Sequence, residues 1–310
     1  KGRNHMAAIN RASIAKQLVP GLNAIFGMEY GEVVDELTPL FETESSDRAF
    51  EEEVLFTGFG SAPVKNEGSA VQYDTAQDSY TARYTAETIA LAFSVTEEAM
   101  EDNLYDTFSK LRARGLARAM ANTKQVKGAD IFNQGFNVLY GGGDGVPLFS
   151  AAHPTIGGGV QSNLIATNGT TDLSEASLES ALVSVQLAKD DRNILIGTNG
   201  LSIHIAPHNQ FAAARLLDSP YRPGTADNDI NAINHGGLVP NGYFVNKRFS
   251  DADAWFLKTD CPNGTKMFNR TPLQTQMLPD FDTGNLRYKA RERYSFGWSD
   301  WRGYFGSAGS

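Results

Sequence analysis

The sequence predicts an α+β fold, on three observations. Near the C-terminal end, "LRYKARERYSFGW" alternates apolar and cationic residues with a period of two. In the first half, a capping-box pattern at Ser94-Val95-Thr96-Glu97 opens a long stretch with helical periodicity. Between them, helical and strand patterns alternate from Asp172 to Lys258.

Taken in chain order, Ile14, Leu18, Leu22 and Phe26 recur at i+4, and Pro20-Gly21 interrupts them, so a short, broken amphipathic helix is expected. "KGRNHM" before Ala7 reads as an expression scar with Met6 the native start, or as a processed N-terminus. "AFEEEVLFTGFG" (Ala49 to Gly60) and "SYTARYTAETIALAFS" (Ser79 to Ser94) read as strands, separated by a segment rich in turn formers. The second would run roughly 50 Å at 3.3 Å per residue. A two-stranded hairpin of that length is barely stable alone, so it is expected to rest on something else, such as another subunit.

The long helix carries Met100, Leu104, Phe108, Leu111, Leu116, Ala119, Met120 and Thr123 near a 3.6-residue period. Acids crowd its first turns and Lys or Arg its later ones, which suits the helix dipole. Continued to about residue 127, it would be roughly 50 Å long. "GFNVLYGGGDGVPLFSAAHPTIGGGVQSN" reads as a mobile glycine-rich loop. A helix from Asp172 to about Lys189 follows, capped by Asp172-Leu-Ser-Glu175, with Leu178, Ala181, Leu182 and Val185 inward. "LSIHIAP" is a strand, and Pro207 starts a helix bearing Phe211, Ala214 and Leu217. "GYFVNKRFSDADAWFLKT" gives two strands around a turn at Ser250 to Asp253. On the final strand, Leu286, Tyr288, Ala290, Tyr294, Phe296 and Trp298 fall on one face with Glu292 the exception, while Arg287, Lys289, Arg291 and Arg293 fall on the other.

Composition narrows the function. With 36 acidic residues against 27 Lys and Arg, the net charge of -9 is the reverse of a free nucleic-acid binder's balance. No apolar run is long enough to span a bilayer. The single cysteine, Cys261, excludes an intrachain disulfide framework and fits a reducing cytoplasm. Nothing commits the chain to catalysis or to a cofactor. The five histidines form no HExxH, and Pro207 separates His204 from His208. Gly141 to Gly145 lacks the GxxxxGK[ST] of a phosphate cradle, and Ser150 near His153 lacks a GxSxG elbow. Asp227, Asp229, Asn231 and Asn234 lack the EF-hand glycine and terminal glutamate, so a solvated loop is the better reading.

Four cations in line on one strand face repel one another, and a purely solvated arrangement needs screening. Three readings stand: solvent, nucleic-acid phosphates, or acidic groups from Glu51-Glu52-Glu53 and the acidic start of the long helix. The net charge favours the acids, and reversing Arg291 and Arg293 to Glu is then expected to weaken subunit association.

The order of elements resembles the major capsid proteins of tailed bacteriophages, the HK97 fold. "TIALAFSVTEEAMEDNLYD" resembles the family's arm-to-spine junction, and "GVPLFSAAHPT" a segment of Mu-like head subunits. "ALVSVQLAKDDRN", "LSIHIAP" and "FAAARLLDS" keep the family's helix, strand, helix order. "YFVNKRFSDADAWFLK" resembles the axial-domain strand pair, and "RERYSFGWSDWRGYFGS" the closing strand and tail. The likeness covers most of the chain after about residue 45. Where relatives often carry glycine after the acidic pair, this chain has Arg192-Asn193.

The resemblance implies an N-terminal arm (1–45), an E-loop hairpin (46–94), a spine helix (95–140), a glycine-rich loop (141–170), an A-domain (171–283), and a P-domain return strand and tail (284–310). Trp298, Trp301, Tyr304 and Phe305 would be core and interface anchors. Some members cross-link a hairpin lysine to a neighbour's asparagine. Lys65 lies at the hairpin tip, but the sequence identifies neither acceptor nor acid, and a solvated lysine is favoured. The implied role is structural and non-enzymatic: self-assembly through hexamers and pentamers into a virion shell, built in the host bacterial cytoplasm, that encloses double-stranded DNA without sequence-specific binding. Portal, scaffold and decoration proteins would be further partners. The alternative is an encapsulin-type compartment holding cargo enzymes.

Overall fold

The computed structural model describes residues 11–96, 105–166, 168–222, 229–280 and 283–310. The chain divides into two compact units. The first comprises Lys1–Asp35, Glu87–Lys124 and Arg270–Tyr294, and the second Glu36–Ala86, Gln125–Asn269 and Ser295–Ser310. The chain therefore passes from one unit to the other five times.

In the first unit, helix α1 (Arg11–Glu32) runs unbroken through Pro20 and Gly21, where the sequence suggested an interruption. A proline inside a helix removes one backbone hydrogen bond. The turns beyond it bury Leu22 and Phe26 in the core of this unit, and that packing holds the helix on its axis. The predicted strand Ser79 to Ser94 is in fact two. Strand β3 (Asp78–Thr85) pairs with β2 (Phe50–Phe56), and β4 (Glu87–Val95) pairs antiparallel with β11 (Leu286–Trp298). The hairpin is thus shorter than expected, ending at Thr85 opposite Phe50.

The long helix α2 spans Tyr105–Asn133, ending later than expected. Of the predicted capping box, Ser94 and Val95 belong instead to strand β4, while Glu97, Met100 and Leu104 lie outside the described residues. Leu111, expected inward, is exposed, and in this part of the helix Ala113, Leu116, Ala117, Met120 and Ala121 are buried. Ala113 and Ala117 let α2 lie close to the sheet face formed by Tyr288 and Ala290, with Ile89, Phe93, Leu273 and Met277 around them. Asn23 Oδ1 of α1 accepts from Thr275 Oγ1 at 2.8 Å and from the Tyr288 hydroxyl at 2.9 Å, fixing the register of helix on sheet.

The second unit is built on a four-stranded sheet in the order β12-β9-β7-β8: β7 (Gly200–Ile205), β8 (Tyr243–Val245), β9 (Trp255–Thr259) and β12 (Tyr304–Ser307). The two strands of "GYFVNKRFSDADAWFLKT" do not pair, because β7 lies between them. Helix α3 (Glu175–Gln186) is shorter than predicted and is capped by Ser174, whose hydroxyl accepts from Ser177 N, and the Ser177 hydroxyl donates to Asp172 O. It buries Leu178, Ala181, Leu182 and Val185 as the spacing required. Helix α4 (Gln210–Leu217) follows a 3-10 turn begun by Pro207. It buries Ala213, Leu216 and Leu217 and leaves Phe211 72% exposed, so of the three residues read from the sequence only Leu217 lies fully inward. Helix α5 (Ala232–His235) is capped by Asn231, whose side chain accepts from Ile233 and Asn234 N. Asn231 is therefore a cap, and Asp227 of the same group lies outside the described residues.

A second core in this unit gathers Phe41, Phe132, Phe149, Phe256, Trp301 and Tyr304. Strand β1 (Glu42–Ser45) pairs in parallel with the start of β10 (Thr265–Pro279) beside it. The C-terminal β12 joins this unit through β9, so the tail does not remain with β11. The short strands β5 (His153–Pro154) and β6 (Val160–Gln161) close the loop between them. The glycine run is packed, not free: a side chain at Gly142 would meet the Trp298 ring, and one at Gly143 the backbone of Thr81.

Candidate assembly surfaces

The alternation read from β11 holds. Leu286, Tyr288, Ala290, Glu292 and Tyr294 are buried, and Arg287, Lys289, Arg291 and Arg293 face outward. Opposite them on β4 stand Ser94, Ala92, Ala90 and Thr88, all small and exposed. Arg287 binds Asp280 at 2.5 Å. Lys289 and Arg291 border a cleft of about 400 Å³ with Gln274 and Gln276 of β10. On the inner face, burial raises the Glu292 carboxyl above its usual range, while Lys124 at 3.9 Å and the Tyr30 hydroxyl at 3.2 Å draw it part of the way back. The sequence marked Glu292 as the exception on an apolar face, and the Lys124 and Tyr30 contacts are what accommodate it.

The three glutamates of β2 have partners in their own unit. Glu51 accepts from Ser46 Oγ at 2.7 Å, and Glu52 lies 3.8 Å from Arg83 in an exposed pair. Glu53 takes the Lys266 ammonium at 2.6 Å and also accepts from Ser299 Oγ. Lys266 is raised: burial works against its charge, and the bonds to Glu53 and Glu44 outweigh that. Lys65 is exposed in the hairpin loop, among Phe59, Val64, Val71 and Tyr73, the last 94% exposed. Arg192 binds Asp74 at 2.5 Å and also donates to Thr75 O, tethering the end of that loop. The departure at Arg192-Asn193 is thereby explained: Asn193 adopts φ 64°, a conformation glycine would take freely, and Asp190 Oδ1 accepts from Arg192 N and Ile194 N to close the turn.

Sequence reasoning missed a buried polar cluster. His153 Nδ1 lies 2.7 Å from Asp144 Oδ2, and its Nε2 lies 3.2 Å from Asn163 Oδ1. Asn163 Nδ2 donates to the carbonyls of Leu148 at 2.7 Å and Tyr304 at 3.0 Å. Trp301, 2% exposed, covers His153 and belongs to the core, while Trp298 is half-buried over Gly142. Arg302 joins Asp191 at 2.5 Å and Asp300 at 3.3 Å. Burial pushes the Cys261 thiol up, the opposite of what a nucleophile requires.

A protein-family model described as "Phage capsid protein" matches residues 79–305. No curated protein matches the chain. Among solved structures, the capsid of an empty GTA particle aligns with a TM-score of 0.55 at 15% identity, over 90% of this chain and 96% of that one. The procapsid of bacteriophage JBD30 aligns at 0.52 and 14%, over 96% and 76%. A virus-like particle from Pyrococcus furiosus aligns at 0.51 and 9%, over 93% and 98%.

Proposed function

The chain belongs to the phage capsid protein family and has an HK97-like fold, and on that premise we propose that its copies assemble through hexamers and pentamers into an icosahedral phage head that encloses double-stranded DNA. The observation that carries this reading is the β2–β3 hairpin. Its outward residues Phe50, Val54 and Phe56, and its loop residues Phe59 and Tyr73, are large and exposed in the isolated chain. Apolar surface of this kind marks a protein–protein contact. A net charge of -9 suits a wall that confines DNA without gripping it, since strong phosphate contacts would resist its movement. Assembly takes place in the host bacterial cytoplasm, with portal, scaffold and decoration proteins as further partners. Lys65 remains a solvated loop lysine, so the shell should dissolve to single chains on a denaturing gel.

Negative-stain electron microscopy with sedimentation is the direct test. Closed shells or five- and six-membered rings support the reading, and a persistent monomer across salt and concentration, with scaffold supplied, sinks it. The likeness to the Pyrococcus furiosus virus-like particle favours a second reading, a compartment that holds cargo proteins. A co-purifying protein in place of DNA would select it.

A further inference from the structure

We infer that the cationic strip of β11 is a docking site for carboxylates of a second copy of this chain, supplied by the acidic β1–β2 segment. The inference rests on the shell reading above and names one contact within it. Lys289 is exposed, and Arg291 and Arg293 are half-buried. Among the described residues none of the three forms an ion pair, whereas Arg287 at the end of the row has Asp280. Arg293 Nε is buried with no hydrogen-bond partner.

The surroundings are shaped for such an acceptor. Ala90 and Ala92 of β4 leave the strip uncovered on one side. On the other, Gln274 and Gln276 add amide donors around the cleft that Lys289 and Arg291 border. The cations recur at about 6.8 Å, two residues along a strand. A partner strand with acids at the same period would match them.

The chain carries acids on its own surface. Glu42 is exposed on β1, whereas Glu44 two residues on already pairs with Lys266 at 3.0 Å, and Glu52 is exposed on β2 in a loose pair with Arg83. Glu51, half-exposed next to it, is held by the Ser46 hydroxyl and by no cation among the described residues. Glu53 is excluded, because Lys266 and Ser299 already hold it. In a chain of net charge -9, acids outnumber every other source of countercharge that a second copy could offer. Phosphate from nucleic acid is the competing ligand.

The test compares shell formation by wild type, Lys289→Glu/Arg291→Glu, Glu51→Lys/Glu52→Lys, and the four changes combined, using sedimentation and electron microscopy. Each double reversal should lower the assembled fraction roughly tenfold at low salt, and the combined variant should restore it. The milder Lys289→Gln/Arg291→Gln pair, checked by circular dichroism, replaces the first variant if that one misfolds. Double reversals that assemble like wild type overturn the inference and leave the shell reading standing. So does a combined variant that folds but stays unassembled. A wild type that never self-associates overturns both. Binding of a labelled DNA duplex that is lost on reversing Lys289 and Arg291, with Glu51→Lys/Glu52→Lys assembling normally, assigns the strip to phosphate instead.

Discussion

The Trp301 indole lies flat against the His153 imidazole, with 4.3 Å between ring centres and 7° between planes. Beneath that stack, Asn163 satisfies the carbonyls of Leu148 and Tyr304 and accepts from Ser150 N at 2.9 Å. Removing the amide strands several buried groups at once. Asn163→Ala should therefore cost roughly 3 kcal/mol or more, read by urea denaturation of the subunit. Trp301→Phe should cost less, because the indole nitrogen has no bonding partner to lose.

Lys266 is 5% exposed and shared by Glu53 and Glu44. Lys266→Met leaves Glu53 against buried surroundings without its countercharge, an expected loss of roughly 2–4 kcal/mol. Lys266→Met/Glu53→Gln should be milder than the single change, because only the exposed Glu44 then keeps a charge without its partner. A double-mutant cycle measures the difference.

His204 is buried against Phe244 with its Nε2 3.0 Å from Ser202 Oγ, and burial, then the nearby Lys258, holds its pKa near 3. The unfolded chain takes up this proton near pH 6.5 and the folded chain does not. Stability from this group is complete above pH 6.5 and is lost progressively as pH falls towards 3, by on the order of a few kcal/mol. His204→Gln should flatten that limb in a pH series of thermal unfolding. An unchanged acid limb would assign it to other groups.

Asn193 sits at φ 64° in the turn that carries Arg192 to Asp74. Asn193→Gly should stabilise or leave stability unchanged within about 0.5 kcal/mol, whereas Asn193→Val should cost roughly 1–2 kcal/mol. Limited proteolysis of the loop at residues 57–77 should accelerate in the valine variant.

The elements with a local cause were legible in the sequence. The two faces of β11, the inward face of α3 and the start after Pro207 follow from spacing alone. The break at Ala86 also left a signal that went unread. Ala82 and Tyr84 are the buried positions before it, and Ile89, Phe93 and Val95 turn inward after it, so the alternation slips by one residue at the joint. A continuous strand cannot do that. Pro20 misled because the packing that carries α1 past it comes from residues distant in sequence. The cluster of Asp144, His153 and Asn163 was illegible for the same reason. Its lid, Trp301, arrives 138 residues after Asn163, and no local pattern marks such a meeting.

Strand β12 sets an order of events in the cell. Tyr304 packs its ring 4.9 Å from Phe132 and donates its hydroxyl to Leu40 O, so the second unit's core lacks a wall until the tail has been made. With five passages of the chain between units, no early segment amounts to a finished body. A chain still emerging from the ribosome has neither a completed core nor a settled surface to offer another copy. Closure of that core is thereby postponed until β12 is in place, and a product cut short before Tyr304 leaves Phe132 and Leu40 uncovered.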